Sequence, residues 1–201
     1  MALRDRIKRD FFSRDTKKVA LDLLGKYAVR ETEKGRMIGK IIEVEAYLGS
    51  IDKASHAYNN RKTERTKTMY MKPGTLYIYM IYGLYYCLNV ITEPKGVPCA
   101  VLIRKLFPID GIELMIENRN AKISNQYKNL VDGPGKLCMA LNITKELFNG
   151  YDACRDDSKL YFIQGDTIKK NHIMINKRIG IDYAEEDKDK LLRFTLKNET
   201  P

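Results

Sequence analysis

Two hydrophobic rhythms alternate along the chain. After Ser13, "RDTKKVALDLLG" spaces its apolar residues as a helix does and predicts an amphipathic helix capped at Ser13 and closed by Gly25. Period-two runs follow: "KYAVRET" and "RMIGKIIEVEAYL" predict two strands about a Lys34–Gly35 turn. Residues 49–68 break the rhythm, being polar and basic, and predict an irregular excursion. "GTLYIYMIY" and "LYYCLNVIT" favour strand strongly and meet at Tyr82–Gly83, which predicts a tight hairpin. "PCAVLIRKL" predicts a strand, "PIDGIELMIENRN" a helix, and "GPGKLCMALNI" a loop entering a helix. Later strands are expected at "KLYFIQ" and "NHIMINKR", then an exposed charged tail from Asp182 to Lys190. There is no strict strand–helix–strand repetition. The expected fold is α+β: one compact domain over residues 1–201, with a largely antiparallel, curved β-sheet, flanking helices and a protruding β-hairpin.

Composition narrows the class. A chain of 201 residues with 44% apolar and 31% charged residues buries enough surface for a core and is not a disordered segment. Lys and Arg number 36 against 26 Asp and Glu, a net charge of +10. That excess fits an anionic partner, nucleic acid above all, and it equally fits a well-solvated lysine-rich surface. Cys87, Cys99, Cys138 and Cys154 form no C-x-x-C pair, and only His56 and His172 accompany them, so no Cys/His metal site is expected. Cys87 and Cys138 lie in apolar runs and read as buried thiols, which suits a reducing compartment. No apolar run reaches the roughly 20 residues a membrane helix needs, and "MALRDRIKRDFF" lacks a signal-peptide core. The expectation is a soluble intracellular protein, monomeric by default.

Five of the thirteen tyrosines fall within Pro73–Val90. Tyr77 and Tyr79 share a strand face, and Tyr77, Tyr85 and Tyr86 read as core or rim residues. Tyr82 falls at the hairpin tip, where its own core cannot cover it. An exposed ring on a basic protein can wedge into a stacked duplex or stack on a base. In "IIEVEAYLG", Glu43, Glu45 and Tyr47 share one face, and Ile42, Val44 and Ala46 the other. The plain reading puts those carboxylates in water; the functional one makes one of them a general base in a cleft. "GPGKL" sets glycine amides and Lys136 before a helix, where a phosphate can bind, although such loops are common. His56 lies in a polar segment close in sequence to the Glu45 strand, where a lone histidine is more often structural than a ligand, and Asn89 and Arg104 border apolar runs; each alone is unremarkable.

Together "EVEAYLG…ASHAY", "MKPGTLYIYMIYGLYYCLNV", "AVLIR" and "GPGKL", in this order, are specific. The chain resembles the alkyladenine (methylpurine) DNA glycosylases, base-excision enzymes that remove 3-methyladenine and hypoxanthine. The resemblance runs from "FFSRDTKKVALDLLG" to "RIGIDYAEEDKDKLLRF". It implies that Glu45 activates water and Arg104 sits beside that water. It implies that Tyr82 occupies the gap left by a flipped nucleotide. Tyr47 and His56 would form one wall of the base pocket and Tyr79 the other, with His56 reading the base edge. Asn89 would crowd the exocyclic amine of guanine, and Lys136 would join the phosphate contacts. The implied partner is double-stranded DNA containing damaged purines, with no metal and no organic cofactor. No lysine near "EVEAY" is placed as an amine nucleophile, so hydrolysis without strand cleavage is expected. A non-catalytic nucleic-acid-binding module would also explain the charge, the tyrosines and "GPGKL", but it leaves Glu45 idle. A relative of formyl-group transferases would need a folate or tRNA site, for which no fingerprint appears.

Overall fold

The longest strand organises the sheet. In a computed structural model that describes residues 5–120 and 129–197, β2 spans Gly35–Tyr47. It pairs along one edge with β5 (Cys99–Asp110). On its other edge, the first half pairs with β1 (Tyr27–Thr32) and the second half with β8 (Arg193–Leu196). β3 (Leu76–Ile81) and β4 (Tyr85–Thr92) extend the sheet beyond β5, and β6 (Leu160–Ile163) extends it beyond β1. β7 (Ile173–Asn176) pairs with β8. Every one of these pairings is antiparallel. The result is a curled half-barrel sheet with flanking helices, as the alternating pattern predicts.

The helices are short and sit where the sheet needs cover. α1 (Arg9–Phe12) precedes α2 (Thr16–Leu23), which buries Val19, Ala20 and Leu23 against β2 and β5. The cap differs from the one expected: Asp15, not Ser13, accepts from the Lys18 amide, because Ser13 already ends α1. α3 (Ile112–Arg119) starts later than "PID" implied, since Pro108–Asp110 continue β5 and Gly111 turns the chain at φ +67°. A Cβ on Gly111 would lie 2.1 Å from the Arg36 carbonyl oxygen, so no other residue fits that turn. α4 (Pro134–Ala140) packs on β4 and β5, and α5 (Lys145–Phe148) on β3. Between sheet and helices lie Phe12, Ile41, Ile42, Leu76, Leu88, Ile103, Phe162 and Phe194, all buried. The stretch Asp182–Asp189 is largely exposed, as expected, and forms short 3₁₀ turns kinked at Glu185 (φ +48°), which bury Ala184 and Asp187.

Two local features aim the functional side chains. β2 carries register shifts against β5 on both sides of Glu43, a bulge that bends the strand two residues before Glu45. The β3–β4 hairpin closes through a turn in which both Tyr82 and Gly83 have positive φ, +53° and +67°, and the Leu84 amide donates to the Ile81 carbonyl. That is the primed turn whose twist suits a hairpin. It leaves Tyr82 86% exposed at the tip, with Leu84 beside it.

Candidate active site

A cavity of about 500 Å³, ample for one purine, opens on the side of the sheet from which the hairpin projects. Tyr47 from the end of β2, Tyr77 and Tyr79 from β3, Asn89 from β4 and Arg104 from β5 line it. The irregular segment after β2 contributes His56 and Arg65, and the stretch after β7 contributes Ile179 and Tyr183. Tyr82 and Pro134 stand at its edge, the latter two residues before Lys136. Period-two alternation explains the sharing: Tyr77 and Tyr79 lie on one face of β3, their rings 5.4 Å apart and tilted by 34°.

Glu45 lies beneath this cavity and has no exposed surface. The plain reading of "EVEAY", carboxylates facing water, is therefore overturned. Its neighbours are polar rather than apolar. The Tyr47 hydroxyl donates to Oε2 at 2.8 Å, and the Ile179 amide donates to Oε1 at 2.9 Å. Arg104 Nη1 lies 3.2 Å from Oε1, while its Nε donates to Glu43 at 2.9 Å. Burial pushes the Glu45 carboxyl above its ordinary value, and Arg104, the Ile179 amide and the Tyr47 hydroxyl only partly offset it. Burial also tends to discharge Arg104, but the two carboxylates outweigh it and keep the guanidinium charged. Burial and the Glu45 charge push the Tyr47 hydroxyl well up, so it remains a donor.

His56 is held neutral. Burial, with Arg65 and Arg61 nearby, lowers its pKa to about 4. Arg65 Nη2 lies 3.2 Å from Nε2, and a guanidinium has no lone pair to offer, so Nε2 accepts. The ring proton then sits on Nδ1, 3.0 Å from the Tyr77 hydroxyl. The His56 ring meets Tyr79 edge-on at 4.6 Å. His56, Tyr47 and Tyr79 all line the same cavity. The Arg65 guanidinium carbon lies 5.5 Å from the centroid of the Tyr79 ring. Asn89, buried, donates to the carbonyls of Tyr77 and Cys87, which fixes its amide in the hairpin.

Of the residues singled out in the sequence, Tyr47, His56, Tyr79, Tyr82, Asn89 and Arg104 line one cavity, and Glu45 lies directly under it. Lys136 sits on the first turn of α4, off the cavity wall. Sequence reading missed Tyr77 as a site residue, since it read as core or rim, together with Arg65, Ile179 and Tyr183. Nothing in the sequence shows that residues 178–183 fold over the end of β2.

A buried carboxylate and an arginine at the wall of an aromatic, base-sized cavity, on a basic protein, fit an enzyme that acts on a nucleic-acid base. The comparison with known proteins is more specific. The family model described as methylpurine-DNA glycosylase matches residues 10–200. A Clostridium novyi protein is 52% identical over 198 residues, covering 96% of each chain. Relatives in Clostridium perfringens and Alkaliphilus oremlandii are 49% and 46% identical with the same coverage. All three bear 3-methyladenine DNA glycosylase as a provisional name. The chain belongs to the methylpurine-DNA glycosylase family. Its relatives here are bacterial, and among the described residues no helix is long and apolar enough to cross a membrane.

Proposed function

We propose that this enzyme excises 3-methyladenine, hypoxanthine and related damaged purines from duplex DNA by hydrolysis with a Glu45-activated water, leaving the strand uncut. The observation that carries the reading is the buried Glu45, bound by Tyr47 and Arg104 from the wall of a cavity whose rim bears the exposed Tyr82 hairpin tip. A base inside a duplex is out of reach, so the nucleotide is extruded at a cost of a few kcal/mol, least for damaged or mispaired bases. Tyr82 fills the gap it leaves. The ring faces of Tyr47 and Tyr79 hold the purine, and a cationic alkylated purine gains further from them by cation–π attraction. Asn89 crowds the exocyclic amine of a normal guanine.

Glu45 Oε2 accepts one bond, from Tyr47, and retains acceptor capacity for a water drawn from the cavity. The carboxylate takes that water's proton as the oxygen bonds to C1′ and the purine departs. Its charge also favours the positive character that develops on the sugar, in a site where water screens little. Arg104 stays charged beside the water and keeps Glu45 oriented. The +10 charge and Lys136 hold the phosphate backbone.

A panel of duplexes, each with one lesion (3-methyladenine, 7-methylguanine, hypoxanthine or ethenoadenine), assayed for released base, tests this directly. Wild type should release base from at least one. Glu45→Gln should lose about 10²–10⁴ in rate while still binding the duplex. A wild type that binds DNA and frees no base would establish the non-catalytic binding module instead.

A further inference from the structure

Arg178 and Asp52 have no part in the chemistry above, yet both side chains are completely buried. They form a two-pronged pair: Nη1 lies 2.6 Å from Oδ2 and Nη2 lies 2.8 Å from Oδ1. Nη1 also donates to the Ala46 carbonyl at 3.0 Å, and Nη2 to the Asp187 carbonyl at 3.3 Å. Asp52 completes its shell with the amides of Leu48 and Ala54, at 2.9 and 3.1 Å. The guanidinium carbon stands 4.8 Å from the centroid of the Tyr47 ring.

The chain neighbours of these contacts are the reaction centre. Ala46, whose carbonyl is held, lies between Glu45 and Tyr47. Ile179, which follows Arg178, donates its amide to Glu45 Oε1 at 2.9 Å. The pair therefore ties the end of β2 to a strand-free segment more than a hundred residues away in sequence, at the place where both converge on one carboxylate. Stability alone is a poor reason for such a pair, because stripping water from two charges costs about as much as their attraction returns.

We infer that Arg178 and Asp52 form a positioning clamp, which holds the Ile179 amide and the Tyr47 ring so that Glu45 faces its water in the reactive orientation. The inference rests on the proposed reading of Glu45 as base. Neither clamp residue touches substrate.

Arg178→Lys keeps the charge and loses the planar fork; Asp52→Asn keeps the shape and loses the charge. Each should lower kcat for base release about 10- to 100-fold, as misplacement of a reacting group does. Affinity for the lesion duplex should stay within about threefold of wild type, since the DNA-facing groups are untouched. For Arg178→Lys, which keeps the charge, the acidic limb of the pH–rate profile should move to higher pH, because the Ile179 amide that the fork positions helps hold the Glu45 pKa down. The double variant should cost little more than the worse single one, since the two act as a unit. A purely structural pair would lower melting temperature and active fraction and leave the limb in place; that result, or additive losses, overturns the clamp. Should Arg178→Lys fail to fold, the wild-type Ile179 amide followed by NMR gives the answer. Its shift should titrate with the midpoint of the acidic limb, and a shift that does not titrate overturns the clamp. If wild type releases no base from the same duplexes, the reading of Glu45 falls; if it does and the limb stays put, only the clamp falls.

Discussion

At the scale of single residues, the site rests on two titratable groups displaced in opposite senses. Glu45 is raised by burial and His56 is lowered to about 4, also chiefly by burial. As base, Glu45 must be ionised, so base release should fall off in acid at a pH above the ordinary glutamate value near 4.5. No histidine limb should appear between pH 6 and 7, because His56 is already neutral there. Stability responds in the matching senses. A raised carboxyl contributes stability that is present below its unfolded pKa and lost as pH rises through the folded one. A depressed histidine contributes stability that is present above 6.5 and lost as pH falls towards about 4. His56→Gln should therefore lose less stability than wild type between pH 6.5 and 4, as urea unfolding at each pH will show. The period-two rule put Glu45 on the polar face of β2, but it could not say that the polar face is covered. Cover comes from Ile179, Tyr47 and Arg104, which arrive from three separate stretches of chain.

At the scale of elements, the hairpin is the part most visible in sequence. Two β-favouring runs around a glycine predict it, and the structure adds that the residue before the glycine is itself left-handed. A tyrosine tolerates that conformation at a cost of order 1 kcal/mol, and such strain is commonest at functional positions. Tyr82→Ser should thus leave the melting temperature nearly unchanged while weakening capture of paired lesions, measured as excision rate under limiting enzyme. An unaltered rate would remove Tyr82 from the mechanism. β8 is the counter-example. "RFTL" is too short and too polar to announce a strand, yet it closes the edge of β2 opposite Glu43–Glu45. Its strand character comes from pairing, with Phe194 buried in the core, and not from local preference.

For the molecule as a whole, charge is the operative property. With +10 overall and an exposed, partly apolar hairpin tip, association with DNA should be dominated by phosphate contacts. Affinity should fall steeply with salt, each neutralised phosphate adding about −0.9 to the slope of log K against log salt. Fluorescence anisotropy of a labelled duplex across a salt series will show it, and a flat response would place the basic surface away from the DNA. Lys136→Ala should make the slope shallower by about one phosphate.

Sequence by itself determined the α+β class, the hairpin, the basic balance and the aromatic and acidic residues of one strand face, because alternation and turn chemistry act between near neighbours. Only the tertiary structure decided which face of β2 is sealed, that His56 is held neutral and accepts from Arg65, and that Arg178 reaches Asp52. Those outcomes depend on burial and, for Glu45 and Arg178, on pairings across more than a hundred residues, and burial is a property of the packed chain that no local pattern contains.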